Sequence, residues 1–265
     1  MLKFKDVYKV YNNSVLTNVN IELDNSTAII GPDNVSCDTM IKLSSGLYEV
    51  DKGEINKIPF KEQFYIPNIP NKLYSSISAL IKFYAEFYRI DRDVLSLFEV
   101  FNISDNVNLK NFTFSELKLI YLAIALNTNV EVIFIENLFD NVTFDIKNKM
   151  LTILEKYKKQ IIVTSNDVTN LDVFIKDFVY VDKTVTKHNF KQFSSKFYKA
   201  SVSYNSIIEK EILKFNPCYY KMNKRNVIII LKIEESELFL RKTNPILVDL
   251  LDLTFEDIFL LGEYL

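Results

Sequence analysis

The sequence predicts an α/β protein with a mixed sheet core, followed by a small α+β subdomain. Continuous apolar runs at residues 27–31, 130–135 and 161–165 alternate with helical stretches. Strands of this kind are usually parallel and covered by helices on both faces. From about residue 200 onward the pattern changes to one strong strand, at residues 226–233, and a terminal helix with a capping pattern at Thr254 to Asp257.

The elements follow one another in a clear order. The chain begins with two alternating segments separated by Asn- and Ser-rich turns, which predict an antiparallel β part. An apolar strand then leads through a loop into a helix, and prolines bound a short strand at residues 62–67. Helices are predicted at residues 75–90, 91–101, 112–126 and 146–160. We therefore expect one domain over residues 1–195, with a helical insert at about 75–112, and a second over 200–265.

Composition excludes several classes of function. The chain has 265 residues, is 48% apolar and carries a formal net charge of −2, so it offers no broad attraction for nucleic acid. Its longest apolar runs are far shorter than the roughly 20 residues of a membrane-spanning helix. The N-terminus has no secretory pattern, and Cys37 and Cys218 allow at most one disulfide. We expect a cytoplasmic protein.

Three of the 4 glycines lie close together, although average usage would give roughly 19 glycines in all. The segment IIGPDNVSCDTMIKLSSGLYEVDKGEI resembles the phosphate loop and following helix of ATP-binding cassette (ABC) transporter nucleotide-binding subunits. The residues that match the family pattern are Gly31, Thr39, Gly46, Asp51, Gly53, Glu54 and Ile55. The resemblance implies an ABC-type P-loop fold over about residues 1–190. It also implies nucleotide-binding positions at Tyr11, Gly31, Asn34, Ser36, Cys37, Asp38 and Thr39.

The phosphate loop departs from the family pattern where its chemistry resides. Cys37 replaces the phosphate-binding lysine, Ser36 replaces a glycine, and Asp38 replaces the hydroxyl that binds magnesium. Removing one partner of a desolvated charge pair costs about 2–5 kcal/mol. We interpret Cys37 as a small residue in a disused loop. The alternative is a reactive thiol at a helix start.

The other catalytic positions of the family are replaced as well. Glu136 and Asn137 stand where an aspartate holds magnesium and a glutamate polarises water, and Asn137 cannot accept a proton. Asn68 occupies the position of the glutamine that faces the membrane subunit, and Asn166 that of the switch histidine. The one histidine, His188, lies past the switch, and we expect it at the surface.

The family signature aligns with Phe112, Thr113, Phe114, Ser115 and Glu116, before a helix. In this family each ATP site combines the phosphate loop of one subunit with the signature of the other. Thr113 keeps the hydroxyl that donates to a γ-phosphate. The chain is therefore expected to meet ATP and Mg²⁺, if at all, through a partner's site, with no cofactor or metal of its own.

The resemblance implies a catalytically degenerate cassette that pairs with an active ABC ATPase, as a heterodimer, and with a transmembrane permease at the inner face of the cell membrane. The C-terminal segment DLTFEDIFLLGEYL is similar to the end of drug- and peptide-export and immunity subunits. One alternative is a slow ATPase in which Asp38 and Glu136 hold magnesium. Another is a regulatory protein that uses the fold without a transporter.

Overall fold

The computed structural model describes residues 1–12, 14–91, 94, 98, 103–104, 107–223 and 225–265. The described chain divides into two compact units, Met1–Lys187 and His188–Leu265. This division falls earlier than the expected boundary between 195 and 200. Most of the helix expected at residues 91–101 lies outside the described residues.

Two sheets form the first unit. The antiparallel sheet has the strand order β2-β1-β4 and contains β1 (Leu2–Tyr11), β2 (Ser14–Leu23) and β4 (Lys52–Asn56). The second sheet has the order β5-β6-β7-β3-β8-β9 and contains β3 (Thr27–Ile30), β5 (Gln63–Ile66), β6 (Val132–Ile135), β7 (Gln160–Thr164), β8 (Asp177–Val181) and β9 (Val185–Asn189). Strand β3 pairs in parallel with both β7 and β8. The predicted α/β class with a mixed sheet core is confirmed.

The helices of this unit are α1 (Asn34–Ser44), α2 (Ile77–Ala85), α3 (Phe114–Leu126) and α4 (Phe144–Lys156). Helix α3 is apolar on nearly every side and is buried from Leu117 to Leu126, as expected of a helix without a polar face. Helix α2 ends five residues before Ile90, where its predicted extent ended. Within the described part of the chain, no helix has the length and apolarity needed to cross a membrane.

The second unit is an antiparallel sheet with helices. Its strands, in the order β11-β12-β10-β13, are β10 (Phe197–Ser203), β11 (Tyr219–Met222), β12 (Asn226–Lys232) and β13 (Val248–Leu251). Its helices are α5 (Phe190–Ser194), α6 (Ser206–Phe215), α7 (Ile233–Thr243) and α8 (Phe255–Leu260). The predicted cap forms, because the Asp257 carboxylate accepts from the Thr254 N–H at 2.7 Å. Asp257 also pairs with Lys199 of β10 at 2.7 Å, which joins α8 to the sheet.

Asparagine takes over much of the conformational role of glycine in this chain. Described residues with positive φ other than glycine are Asp6, Asn12, Asn18, Asn137, Asn141, Asn170, Asn216 and Asn244. Asparagine tolerates the left-handed region better than most residues, because its short polar side chain bonds locally. Scarce glycine therefore does not imply that left-handed turns are scarce.

Gly31 is kept for close packing. A Cβ atom at this position would lie 2.0 Å from the backbone oxygen of Val181 on β8. Strands β3 and β8 are parallel neighbours, so neither backbone can move without disturbing the sheet. The glycine therefore has a structural reason that does not involve a ligand.

We predict that Gly31→Ala lowers the free energy of unfolding by about 3 kcal/mol or more, because it forces a contact that the packed sheet cannot relax. Gly46→Ala is the matched control. Gly46 has φ +75° and space for a methyl group, so its loss should be about 1–2 kcal/mol. Urea unfolding measures both, and an equal or smaller loss for Gly31→Ala would contradict the packing argument.

Candidate functional site

The expected phosphate loop is closed by its own aspartate. Asp33 caps helix α1, and its carboxylate accepts from the backbone N–H groups of Val35 at 3.1 Å and Ser36 at 3.0 Å. It also accepts from the Ser36 hydroxyl at 2.5 Å. The Ser36 hydroxyl and these N–H groups hold the pKa of Asp33 below its ordinary value. A carboxylate therefore occupies the anion-binding end of α1.

Other donors of this segment are also used within the chain. The Cys37 N–H donates to the Asp33 carbonyl oxygen at 3.2 Å, as part of the helix. The Thr39 hydroxyl donates to the Val35 carbonyl oxygen at 2.7 Å. The Ser36 hydroxyl also lies 2.9 Å from the Ser14 hydroxyl of β2. The segment from Asn34 onward is a turn of helix, whereas a phosphate cradle needs an open loop with free N–H groups.

Little space is left beside this segment. A cavity of about 10 Å³ lies at the C-terminal end of β3, which is room for at most one water molecule. It brings together the expected site residues Gly31, Asn34, Cys37, Asn137 and Asn166. These residues come from three separate segments of the sequence.

Cys37 is not in a state that favours reaction. It is 5% exposed, and burial together with the charges of Asp38 and Asp33 raises the pKa of its thiol to about 12. A thiol with this pKa is protonated at neutral pH and is a poor nucleophile. The environment of Cys37 favours the packing interpretation over the reactive thiol.

An ion pair lies one helical turn further along α1. The Lys42 Nζ atom is 3.1 Å from the Glu136 Oε1 atom, and the Glu136 side chain is only 6% exposed. The other carboxylate oxygen of Glu136 accepts from the Asn68 backbone N–H at 2.9 Å. Both oxygens of Glu136 are thus engaged, one by an ammonium group and one by the loop that follows β5.

Asp38 adds a second carboxylate to this cluster. Burial and the charges of Glu136, Asp140 and Asp33 outweigh Lys42 and raise the pKa of Asp38 to about 6. Its Oδ1 atom is buried without a hydrogen-bond partner among the described residues. The cluster is therefore short of positive charge when Asp38 is ionised.

Asn137 and Asn166, at the positions expected for the catalytic base and the switch residue, are hydrogen-bonded to neighbouring segments. Asn137 has φ 50°, and its N–H donates to the Thr164 hydroxyl oxygen at 2.9 Å. Asn166 is tied to Asp140, whose carboxylate accepts from its N–H at 2.8 Å and from its side-chain amide at 2.7 Å. Lys118, 1% exposed, donates to the Asn137 carbonyl oxygen, and burial lowers its pKa to about 8.

Tyr11, the expected adenine-stacking residue, packs against another tyrosine of the chain. The centroids of the Tyr11 and Tyr48 rings are 4.8 Å apart, with planes at 38°. The Lys42 Nζ atom lies 5.6 Å from the Tyr48 ring centroid. Tyr11 is still 38% exposed, so part of its ring faces solvent.

The signature segment is a reciprocal capping box at the start of α3. The Glu116 carboxylate accepts from the Thr113 N–H and the Thr113 hydroxyl, both at 2.8 Å. Ser115 is 4% exposed and accepts from the Thr143 N–H at 3.2 Å. The exposed flank of the segment therefore carries a carboxylate, and the Thr113 hydroxyl already has an acceptor.

Several groups that a magnesium nucleotide would need are bonded within the chain. Phosphate oxygens need helix N–H groups that Asp33 occupies, and magnesium needs oxygen ligands that Glu136 gives to Lys42 and Asn68. Among the residues that the structure describes, no group of three or more His, Cys, Asp or Glu side chains could hold a metal ion.

Three residues of the site were missed by the sequence analysis. Asp33 directly precedes the helix, which is the usual position of an N-cap aspartate. Lys42 follows Asp38 by four residues and therefore shares its helix face. Tyr48 gave no signal that sets it apart from the other tyrosines. His188, expected at the surface, is partly buried, and burial lowers its pKa.

No protein-family model and no curated protein matches the sequence. Solved structures do match. An ATP-binding subunit of an ABC transporter is 19% identical, with a TM-score of 0.62, and the match covers 72% of this chain and 92% of that one. The bacterial ABC transporter cassette MJ0796, a dimer, is 17% identical with a TM-score of 0.59, covering 71% and 98%. CbiO1 from Clostridium perfringens, part of the ABC transporter complex CbiONQ, is 17% identical with a TM-score of 0.58, covering 81% and 95%.

The chain has the fold of ABC transporter ATP-binding subunits. The matches confirm the fold that the sequence resemblance implied. At these identities they do not extend to activity, because one fold supports many functions. What this ABC fold does here has to be argued from its own residues.

We predict that Asp38→Asn stabilises the protein at neutral pH. The folded chain binds the Asp38 proton more tightly than the unfolded chain, so stability falls as pH rises from about 4 to about 6 and stays lower above that range. Removing the charge should raise the free energy of unfolding above pH 7 by about 1–2 kcal/mol, since solvent screens this partly exposed group. Below pH 4 the two proteins should differ little.

The matched control is Asp172→Asn, which removes the same charge from an exposed residue. It should change stability little at either pH. Urea unfolding at pH 4 and pH 7.5 makes the comparison. A destabilised Asp38→Asn protein at pH 7.5 would show that the charge of Asp38 is needed in the cluster.

Proposed function

We propose that this chain is a non-hydrolytic subunit of an ABC-type transporter complex, which pairs with an active ATPase and a membrane subunit. The observation that carries the proposal is the Asp33 carboxylate on the N-terminus of α1, where a nucleotide phosphate would bind. The Lys42–Glu136 pair supports it, because it engages the carboxylate that a bound metal would need.

Electrostatics argues in the same direction. The phosphate loop and the signature each present a carboxylate at a helix start, Asp33 and Glu116. Two like charges 4 Å apart repel by about 1–4 kcal/mol at effective dielectric constants between 80 and 20. A polyphosphate would meet this repulsion and would also have to displace hydrogen bonds already made. A slow ATPase would have to overcome both the charge repulsion and the loss of these hydrogen bonds. It would also lack a general base, because residue 137 is an asparagine.

The active partner would supply the ATP and Mg²⁺ of the complex, in a heterodimer. MJ0796 was solved as a dimer, which shows that cassettes of this fold can associate. In the proposed complex the start of α3 faces the partner's phosphate loop. Its Thr113 hydroxyl could reach a γ-phosphate only by releasing Glu116. This chain therefore acts mainly as a structural partner.

In this proposal the membrane subunit docks in a groove on the first unit of this chain. A cavity of about 450 Å³ lies beside edge strand β5, between the end of α1 and the aromatic residues Phe83, Tyr84 and Tyr88. The Gln63 side chain is 7% exposed, and its Oε1 atom has no hydrogen-bond partner among the described residues. A helix with an apolar residue and a donor would satisfy both features. Asn68 follows β5 directly, in agreement with the contact region implied by the sequence resemblance.

We further propose a role in peptide or drug export or in an immunity complex, at the inner face of the cell membrane. The similarity of the C-terminal segment to such subunits supports this role. Other similar structures carry names that refer to cobalt transport and to a metal-chelate transporter, and those substrates belong to those proteins.

We predict that the isolated chain shows no saturable rise in melting temperature with Mg-ATP. Cys37→Lys with Asp38→Ser should restore little binding, because Asp33 still occupies the helix start. Adding Asp33→Asn should improve apparent affinity about tenfold or more, since asparagine keeps the cap without the charge. Ligand at 100 times its dissociation constant stabilises by about 2.7 kcal/mol, which a melting experiment detects.

The single variant Asp33→Asn is the control for folding, and it should melt close to the unmodified protein. A clear saturable shift of the unmodified protein would overturn the proposal and favour the slow ATPase. Equal binding by the double and triple variants would show that Asp33 is not what excludes the phosphate.

A second prediction concerns the groove. Phe60 lines it and is 68% exposed, so Phe60→Asp should abolish co-purification of the chain with its membrane subunit without unfolding it. Leu213→Asp places the same charge on a residue 80% exposed in the second unit and should leave co-purification unchanged. Retention of the membrane subunit by Phe60→Asp would place its contact elsewhere.

A further inference from the structure

The sheet of the second unit ends in an edge strand that is mostly apolar. Strand β13 has β10 as its only strand neighbour in the described chain. Residues 246–251 contain five apolar residues and one aspartate, and Ile246 is 96% and Leu250 71% exposed. Proteins usually protect such edges with charged side chains, most often lysine, with proline or with a bulge, because free backbone groups attract another strand, and in β13 the one charged residue is Asp249.

The hydrogen bonds of β13 define which residues face outward along the sheet. Ser203 of β10 donates its N–H to the Leu247 carbonyl oxygen at 2.9 Å, and the Leu247 N–H donates to the Ser203 Oγ atom at 3.1 Å, so Ser203 and Leu247 occupy a hydrogen-bonded position of the ladder. Hydrogen-bonded and non-hydrogen-bonded pairs alternate in an antiparallel ladder. The backbone groups of Val248 and Leu250 therefore point away from β10, toward the free side.

The side chains of the same two residues extend an apolar surface. Leu250 is opposite Ala200 and Val248 is opposite Val202, so both lie on the face that packs against α6 and α7. Ala200 and Val202 are fully buried there, but Leu250 is not covered. A strand added at this edge would extend the buried face.

We propose that β13 pairs with β13 of a second copy of this chain, so that the two four-stranded sheets form one continuous antiparallel sheet. Antiparallel neighbours related by a two-fold axis keep the same face, so residues that point outward must pair with each other. Of the registers that satisfy this, two also pair three of the four residues of β13 with residues of β13 in the second copy. One places Leu250 opposite Leu250 of the second copy, and the other places Asp249 opposite Asp249.

Charge decides between these registers. In the second register the two Asp249 side chains form a non-hydrogen-bonded pair, the closest kind, and like charges directly opposite are destabilising. In the first register Asp249 lies opposite Leu251, and Leu250 lies on the two-fold axis. The strand is thus complementary to itself in one register. The other edge strand, β11, carries Lys221 in its centre and is protected.

The test measures the association of the full chain by sedimentation equilibrium over a wide concentration range. The unmodified chain should dimerise, and Leu250→Lys should weaken the dimer about tenfold or more, because two lysines would meet on the axis. Leu213→Lys, at the 80% exposed Leu213 of α6, is the matched control and should leave the dimer intact. Melting curves verify that each variant is folded.

Cysteine cross-linking tests the register in a Cys218→Ser background. Leu250→Cys should form an intermolecular disulfide on treatment with diamide, since a hydrogen-bonded pair has Cα atoms about 5.5 Å apart. Asp249→Cys should cross-link poorly. A monomeric unmodified chain, aggregates instead of a discrete dimer, or a dimer that Leu250→Lys does not weaken would overturn the proposal. Preferential cross-linking of Asp249→Cys would overturn the register.

Discussion

The Lys42–Glu136 ion pair links helix α1 to the end of β6, where water has little access. Removing Lys42 would leave the buried Glu136 carboxylate without its counter-charge; breaking a fully buried pair costs about 3–5 kcal/mol, and the loss here should be smaller because Lys42 is 26% exposed. The pair also holds a third element, since the second oxygen of Glu136 accepts from Asn68 in the loop after β5. The helix, the end of β6 and the loop after β5 therefore meet at one carboxylate.

The rest of the site follows the same principle, in which the chain supplies its own contacts. Asp33 satisfies the N-terminus of α1, Glu116 satisfies the start of α3, and Tyr48 packs on Tyr11. Each contact orders few additional residues, so it costs little conformational entropy, because the partners are close in the chain or on adjoining elements. Each also puts a side chain where the resemblance would place part of a nucleotide.

Much of the fold could be predicted from the sequence, because buried strands and helices have characteristic patterns of apolar residues. The apolar runs predicted the parallel strands, and the capping pattern at Thr254 predicted the start of α8. The site was readable only in part. Lys42 was missed, because the sequence does not show that its side chain reaches from α1 to the end of β6. The sequence analysis interpreted Asn137 as the replacement of a catalytic base. Its positive φ could not be predicted, because sequence does not specify the backbone conformation of single residues.

A ligand can shift a conformational equilibrium only by its differential affinity for the two states. Asp33 and the helix N–H groups of this site already have partners within the chain, and the Asp38 carboxylate lacks one but carries the same charge as a phosphate, so we expect a nucleotide to gain little from binding here. In the proposed complex, any movement of this chain is therefore driven by protein contacts. The groove beside β5 is well placed for this, because β5 leads directly to Asn68 and so to Glu136 and Lys42. Displacement of that loop by a docked helix would strain the Asn68–Glu136 hydrogen bond and, through the shared carboxylate, the position of α1.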